Sequence, residues 1–229
     1  QGHHVMLTGR SEEPAGFKPN KPQETDDPSI AAICNSLLRP RRSAPTPVVI
    51  MPDKIVHRTG RVIPGQFAGR MGKARDPWLL EVSPYHPLHY GAYPEYLFHH
   101  ATGKMEDAGL GFRAPHLSLP SGLNLRRVAD RTVLRRDLEN QSSALEASAG
   151  DEAFDRYRAA AVDLLANGDA HAAFDLSKAD PKQIERYGNH SFGWSLLMAR
   201  NLVASCVNLV QVNPGNNETW DTHQAAFPN

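Results

Sequence analysis

The sequence predicts an α/β fold with a mostly parallel central sheet. Two short runs of strand-forming residues carry this prediction, at residues 47–51 and 207–212. The first run, PVVIM, has no polar alternation, which is typical of a strand buried on both faces of a parallel sheet. Each run follows a helical pattern along the chain, and helices that lead into strands are typical of α/β proteins.

Two helices are predicted before the first strand. Residues 3–8 form a short helix that ends at Gly9, because glycine adopts the left-handed C-terminal cap without steric cost. The next helix has Asp27 as its N-cap and Pro28 at its first helical position. It ends before Pro40. Its apolar residues recur at helical spacing and form one buried face: Ile30, Ile33, Cys34, Leu37 and Leu38.

Between the two strands we expect two different kinds of segment. Residues 52–123 are rich in Gly, Pro, His and Tyr without a sustained period, and they predict a loop-rich insertion. Residues 124–190 form a helical segment, with helical periods at 124–145 and 151–165. Its last helix has Asp180 as N-cap, Pro181 at the first position and Gly188 at its exit. A further amphipathic helix, 192–205, leads into the second strand.

Composition excludes several classes of function. Lys plus Arg equals Asp plus Glu at 25 each, and this zero net charge argues against a nucleic-acid or membrane-surface partner. No apolar run is long enough to predict a membrane span. Two distant cysteines form neither a disulfide framework nor a zinc-ribbon pattern. The abrupt ends of the chain suggest a fragment, so we predict a single partial domain over residues 1–229.

One glycine run raises the question of a phosphate-binding loop. The run "PGQFAGRMGKA" at residues 64–74 contains Arg70 and Lys73. Its spacing differs from that of a P-loop, and Ala74 stands where a magnesium-binding hydroxyl is required. A tight irregular loop is therefore the favoured interpretation.

The strongest local signal for chemistry lies after the second strand. In open α/β sheets, ligands bind outside the carboxyl ends of the strands, and Asp221 and His223 follow the strand that ends near Val212. Side chains two residues apart in an extended segment point the same way, and oxygen and nitrogen donors suit zinc, manganese or iron. At least one further ligand must come from elsewhere. The alternative is that Asp221 caps a turn and His223 is exposed.

Several stretches together resemble the bacterial "domain of unknown function" family numbered 1501, which is abundant in planctomycetes and grouped with sulfatase-like members of the alkaline phosphatase superfamily. The resemblance runs in order over nearly the whole chain, and it would make this chain an internal fragment. It implies an alkaline-phosphatase-like sandwich with a helical insertion. The stretches that carry it are "HHVMLTGR", "DPSIAAI", "PGQFAGRMGKARDPW", "AFDLSKADPKQIERYG", "SFGWSLLMARNLV" and "VNLVQVN…WDTH".

The resemblance also implies a function. It implies an exported, periplasmic or extracellular, metal-dependent hydrolase of sulfate or phosphate esters, acting on a small-molecule or polysaccharide substrate. Asp221 and His223 match the WDTH motif as ligands of a divalent ion, whether zinc, manganese, calcium or magnesium. Thr8-Gly9-Arg10 resembles the end of the helix that follows the sulfatase nucleophile, so His3 or His4 would contact the anion or its leaving group, or pack and cap the helix. The alternative is a binding protein that kept the fold without the chemistry.

Overall fold

The computed structural model of the chain has a mixed α/β architecture. It describes residues 2–39, 44, 46–57, 59–82, 173–176, 179–188 and 191–213, with short pieces at 98–99, 104–105, 126–127, 130–131 and 133–134. In this described part, four helices accompany a three-stranded parallel sheet, which confirms the α/β class predicted from the sequence. The helices are α1 Gly2–Thr8, α2 Ile30–Leu37, α3 Pro181–Tyr187 and α4 Ser191–Ala204.

The sheet has β1 at its centre. The strands are β1 Val48–Met51, β2 Trp78–Leu79 and β5 Leu209–Val212, and a separate antiparallel pair joins β3 Phe98–His99 to β4 Lys104–Met105. The order is β2–β1–β5, and both neighbours run parallel to β1. Because Met51 pairs with Val212, β1 and β5 end together at one carboxyl edge.

Helices cover both faces of β1. Successive side chains of a strand point to opposite faces, so Val49 and Met51 face one way while Val48 and Ile50 face the other. The first pair packs in a core cluster with Phe174 and with residues of α4 that include Met198 and Leu202. The second pair packs with Ala31 of α2. The predicted buried face of α2 is therefore wrong in part: Ile30, Leu37 and Leu38 are 49%, 76% and 39% exposed, and the alanines are buried instead. All four residues of β1 are buried, which confirms the prediction of a strand covered on both faces.

Three short strands, β2, β3 and β4, have no signal in the sequence. Trp78 and Leu79 form β2 inside the stretch predicted to be loop-rich, where they pair with Val49 and Ile50. The backbone N–H of Leu80 extends this contact by donating to the carbonyl of Ile50 at 2.8 Å. Two residues are too few to show a hydrophobic period, so their strand conformation comes from pairing with β1. Two 3-10 turns precede them, at Gly69–Met71 and Lys73–Arg75.

The predicted start of α2 is wrong by two residues. Ser29, not Asp27, is the N-cap: its hydroxyl accepts a hydrogen bond from the N–H of Ala32 at 3.0 Å. The N–H of Ser29 is itself tied to the carbonyl of Phe67 at 2.9 Å. Asp27 and Pro28 therefore precede the helix, and the carboxylate of Asp27 interacts with cationic side chains instead.

The start of α3 follows its sequence signals. The carboxylate of Asp180 accepts from the N–H of Lys182 at 3.0 Å, Pro181 is the first helical residue, and Gly188 follows the helix with φ of 92°. Gly9 likewise follows α1 with φ of 69°. These helix ends confirm the predicted caps.

Most of the predicted helical segment lies outside the described residues. The pairs 126–127, 130–131 and 133–134 are helical, and Val133 and Leu134 are 60% and 61% exposed. The helix predicted at 151–165 lies wholly outside the described part. Within the residues that are described, no helix combines the length and apolar character required to cross a membrane.

Candidate functional site

His4 is a buried histidine on the inner face of α1. Its residue is 2% exposed, and its ring packs edge-on against Phe17 with centroids 5.1 Å apart. Nε2 lies 3.3 Å from the carbonyl oxygen of Glu12, and because a carbonyl only accepts, Nε2 carries the proton. Nδ1 is buried and has no hydrogen-bond partner in the described part of the chain. This environment favours a packing role over direct contact with a ligand.

His3 is only partly buried and is the more accessible of the two histidines. Burial is the largest cause that lowers the pKa of His3 below its ordinary value of 6.5, and the nearby imidazole of His57 acts in the same direction. A lowered pKa keeps the ring neutral at neutral pH, where it can accept a proton or a hydrogen bond. Of the two predicted candidates, His3 is therefore the one with an accessible, neutral ring, and its role stays a prediction.

The Thr8-Gly9-Arg10 motif closes α1 and directs Arg10 away from it. The hydroxyl of Thr8 donates to the carbonyl of His4 at 2.7 Å and accepts from the N–H of Arg10 at 3.2 Å. The N–H of Gly9 donates to the carbonyl of Val5 at 2.8 Å. These bonds satisfy polar groups at the end of the helix, and the bond to Thr8 holds the backbone of Arg10 in place.

A single buried carboxylate, that of Asp27, is shared by three cationic or potentially cationic side chains. Nη2 of Arg70 lies 2.7 Å from Oδ1, and Nε of Arg10 lies 3.6 Å from the same oxygen. Nε2 of His4 lies 3.9 Å from Oδ2, which is too far for a hydrogen bond. Oδ1 lacks a well-aligned hydrogen bond within the described residues, although Arg70 approaches it closely. The side chain of Asp27 is 5% exposed, whereas those of Arg10 and Arg70 are 58% and 54% exposed.

Two glycines of the 64–74 run allow this loop to approach α1 and Asp26 closely. A Cβ on Gly65 would stand 3.4 Å from Cγ2 of Thr8 and 3.7 Å from Nδ1 of His4. A Cβ on Gly69 would overlap the backbone carbonyl oxygen of Asp26, and Gly69 has φ of 49°. The N–H of Arg70 donates to that same carbonyl at 3.0 Å. The glycines thus place Arg70 over Asp27, so the loop contributes a side chain to the cluster.

Asp26 is a second buried carboxyl group beside Asp27. Its Oδ2 accepts from the N–H of Gln23 at 2.8 Å, while Oδ1 is buried without a hydrogen-bond partner in the described structure. Burial raises the pKa of Asp26 above its ordinary value of 3.8; the Gln23 hydrogen bond and His4 oppose this rise, and the charge of Asp27 adds to it. Ionisation of Asp26 therefore opposes folding.

Replacing Asp26 with Asn should flatten the dependence of stability on pH. A carboxyl group with a raised folded pKa binds more protons when folded, so stability falls as pH rises from about 3.8 through the raised value. The amide keeps the Gln23 bond and cannot ionise. We expect the free energy of unfolding of the variant to gain on that of the wild type through this window and to keep a constant difference above it, as measured by urea denaturation from pH 4 to 8.

Asp130→Asn is the matched control for this experiment, because Asp130 is exposed. It should leave the pH profile unchanged. Burial also raises the pKa of Asp76, which is present in every variant. Part of the fall in stability with rising pH therefore remains in all of them. Parallel profiles for wild type and Asp26→Asn would show that ionisation of Asp26 does not oppose folding.

The carboxyl edge of the sheet is held together by Asn213, the residue that follows β5. Its backbone N–H donates to the carbonyl of Met51 at 2.7 Å, and its Nδ2 donates to the carbonyl of Asp53 at 2.7 Å. Lys54 and Glu81 form an ion pair at this edge, 3.7 Å apart. Strand β5 therefore ends directly beside the end of β1, and Asp221 and His223 follow it in the sequence.

The helix α1 packs on the same loop that leaves this edge. Leu7 of α1 forms a buried cluster with Ile55 and Ile63, and Ile55 lies shortly after the end of β1. The buried amide of Gln66 stabilises this loop, because its Nε2 donates to the carbonyls of Ile55 and Ile63 at 2.9 and 2.6 Å. The helix with the two histidines and the exit of β5 thus contact one loop.

The sequence-predicted metal ligands, Asp221 and His223, lie outside the described residues, so their assignment stays a prediction. No group of three or more His, Cys, Asp or Glu side chains suited to a metal ion occurs among the residues that are described. Sequence reasoning missed the convergence of Arg10 and Arg70 on Asp27. The sequence indicated a helix N-cap at Asp27 and a tight loop around Arg70. Neither pattern indicates a partner that is distant in the chain.

Comparison with known proteins gives one match. The family model described as "Protein of unknown function (DUF1501)" matches residues 1–229. Among curated proteins no match was found, and no solved structure matches.

Proposed function

The chain belongs to the DUF1501 family, and from that premise we propose that it is an exported, metal-dependent hydrolase of sulfate or phosphate esters. The proposal takes its chemistry from the resemblance to sulfatase-like members of the alkaline phosphatase superfamily. It takes its location in the fold from one observation, the exit of β5 at the carboxyl edge of a parallel sheet.

The β5 exit supports the proposal because β5 ends at the edge where α/β proteins bind ligands, and the WDTH motif follows β5 in the sequence. Asn213 is hydrogen-bonded to Met51 and to the carbonyl of Asp53, so the segment begins beside the end of β1. Asp221 and His223 follow a few residues later. Had β5 run antiparallel to β1, this segment would begin at the opposite edge of the sheet.

The donor set suits a divalent ion. An Asp oxygen and a His nitrogen are ligands that zinc and manganese accept, and the remaining ligands would come from other parts of the protein. When bound, such an ion supplies charge stabilisation for the oxygens of the ester. Asp221 and His223 would hold it at the sheet edge.

His3 is the side chain of α1 that we assign to proton transfer. It is partly exposed and its pKa is lowered by burial, so its neutral ring accepts a proton near pH 7. His4 supports it from within α1, where it packs on Phe17 and near Asp27. This assignment divides the two histidines into one that accepts a proton at the reacting centre and one that positions the helix.

Metal analysis of the protein tests the ligand assignment. We expect purified wild type to bind a divalent ion and Asp221→Ala and His223→Ala each to lose at least tenfold in metal affinity, about 1.4 kcal/mol. The measurements are elemental analysis and metal-induced shifts in thermal unfolding, with Asp130→Ala as the control at an exposed carboxylate. Equal metal content in all four proteins would contradict the assignment.

Hydrolysis of p-nitrophenyl sulfate and p-nitrophenyl phosphate tests the activity. We expect turnover by the metal-loaded wild type and a loss of about 100-fold or more in His3→Ala, the range for removing a general acid or base. If the metal-loaded protein binds these esters but does not hydrolyse them, the result would support the alternative, a binding protein that retains the fold.

A further inference from the structure

We propose that Arg10 and Arg70 form a subsite for a second sulfate or phosphate group on the substrate, distinct from the ester that is hydrolysed. This inference rests on the proposed function for the identity of the substrate. The observation that carries it is the convergence of two exposed guanidinium groups on one buried carboxylate, that of Asp27.

Arg10 and Arg70 form ion pairs with the same carboxylate. They share a single oxygen of Asp27, with Nε of Arg10 at 3.6 Å and Nη2 of Arg70 at 2.7 Å, so one oxygen serves two guanidinium groups. Lys73 of the same loop pairs with Glu24 at 3.5 Å instead. Within the described part of the chain, Asp27 is the carboxylate that forms ion pairs with both arginines. An additional anion would bind to the guanidinium N–H groups that Asp27 does not use.

The donor geometry suits a tetrahedral oxyanion. Each guanidinium has five N–H donors in a planar fork, and its ion pair with Asp27 is made through one nitrogen, Nε of Arg10 and Nη2 of Arg70. The remaining donors lie on side chains that are more than half exposed. Such forks pair with sulfate and phosphate oxygens through two parallel hydrogen bonds, which a lysine cannot do.

The two arginines are held in place by backbone contacts. The N–H of Arg10 is bonded to the hydroxyl of Thr8, and the N–H of Arg70 to the carbonyl of Asp26. Gly69 permits this second contact, because any side chain there would overlap the same carbonyl. A ligand therefore finds both side chains already brought together by Asp27, which lowers the entropy lost on binding.

The subsite is separate from the proposed reacting centre. His3 lies near the start of α1, whereas Arg10 lies just beyond its end. A helix of seven residues is about 10 Å long, so the backbones of His3 and Arg10 are separated by about that length. In the described part of the chain, the ion pairs of Asp27 involve His4, Arg10 and Arg70. The substrate that uses both sites carries at least two anionic groups, as a sulfated or phosphorylated oligosaccharide does.

Binding of oligosaccharides without turnover tests the subsite. Isothermal titration calorimetry in EDTA would compare sulfated dextran oligosaccharides, unsulfated dextran oligosaccharides and sodium sulfate. We expect the sulfated oligosaccharides to bind, and Arg10→Gln and Arg70→Gln each to weaken that binding about tenfold. Arg200→Gln is the matched control, an exposed arginine on α4 whose side chain donates to Gln183 at 3.0 Å; it should bind like the wild type.

Three outcomes would overturn the subsite. They are unchanged affinity in both Arg→Gln variants, an equal loss in Arg200→Gln, and sodium sulfate binding as tightly as the oligosaccharides. Arg70→Lys guards against misfolding, since it keeps the charge opposite Asp27 and loses the fork; it should still bind several-fold more weakly than wild type. Because EDTA removes any metal, this result is independent of whether the protein hydrolyses esters.

Discussion

Replacing Phe174 with Ala should lower the free energy of unfolding by about 3 to 5 kcal/mol, the range for removing a large buried aromatic side chain. Phe174 is 2% exposed and packs edge-to-face on Trp78, with ring centroids 5.9 Å apart. It belongs to the cluster that joins one face of β1 to α4. The truncation leaves a cavity between sheet and helix, because neighbouring side chains fill the space only in part. Urea denaturation with tryptophan fluorescence measures the change.

Leu37→Ala is the control for this prediction. Leu37 is an apolar residue of α2 that is 76% exposed, and its truncation should change stability by about 0.5 kcal/mol or less. A loss below about 1 kcal/mol in Phe174→Ala would mean that the segment 173–176 does not pack on the sheet in solution.

Replacing Gly69 with Ala should cost about 3 kcal/mol or more. Two effects add at this position: φ is 49°, which costs a residue with a Cβ about 1 to 2 kcal/mol, and the Cβ would overlap the carbonyl oxygen of Asp26. Relief of the overlap requires the loop to move away from Asp26, which breaks the 3.0 Å bond from the N–H of Arg70. The variant should therefore lose both stability and the ion pair between Arg70 and Asp27.

Gly9→Ala separates the two effects. Gly9 has φ of 69°, and no atom stands within 4 Å of a Cβ placed there, so its substitution carries the backbone cost alone. We expect a loss of about 1 to 2 kcal/mol by urea denaturation. Equal losses in Gly9→Ala and Gly69→Ala would contradict the close approach of Gly69 to Asp26.

The sequence correctly predicted the structural features that depend on residues close together in the chain. The α3 helix begins where Asp180 and Pro181 predict, because a cap and its first turn are formed by neighbouring residues. Strand β1 is buried on both faces, as its unbroken apolar run indicates. The end of α1 at Gly9 follows from the conformational freedom of glycine.

The same reasoning failed where a distant partner competes for a side chain. Asp27 and Pro28 have the sequence signature of a helix start, yet Asp27 pairs with Arg10 and Arg70, and Ser29 takes the cap. The hydrogen bond from Ser29 to Phe67 comes from a segment far along the chain. Propensity ranks both residues as good caps, so only the tertiary contact distinguishes them.

The candidate site divides in the same way. Spacing after the second strand singled out Asp221 and His223, and the family resemblance added His3 and His4. All four assignments stay predictions. Only the folded structure distinguishes buried His4 from partly exposed His3, because adjacent residues of a helix point in different directions.

By itself, the sequence determined the α/β class, the buried central strand and the ends of α1 and α3, since these depend on interactions between neighbouring residues. Tertiary structure alone decided the place of β2, the cap of α2 and the convergence of Arg10 and Arg70 on Asp27. Those features depend on hydrogen bonds and charges between residues far apart in the chain. Such contacts form only once the sheet and its covering helices bring the segments together.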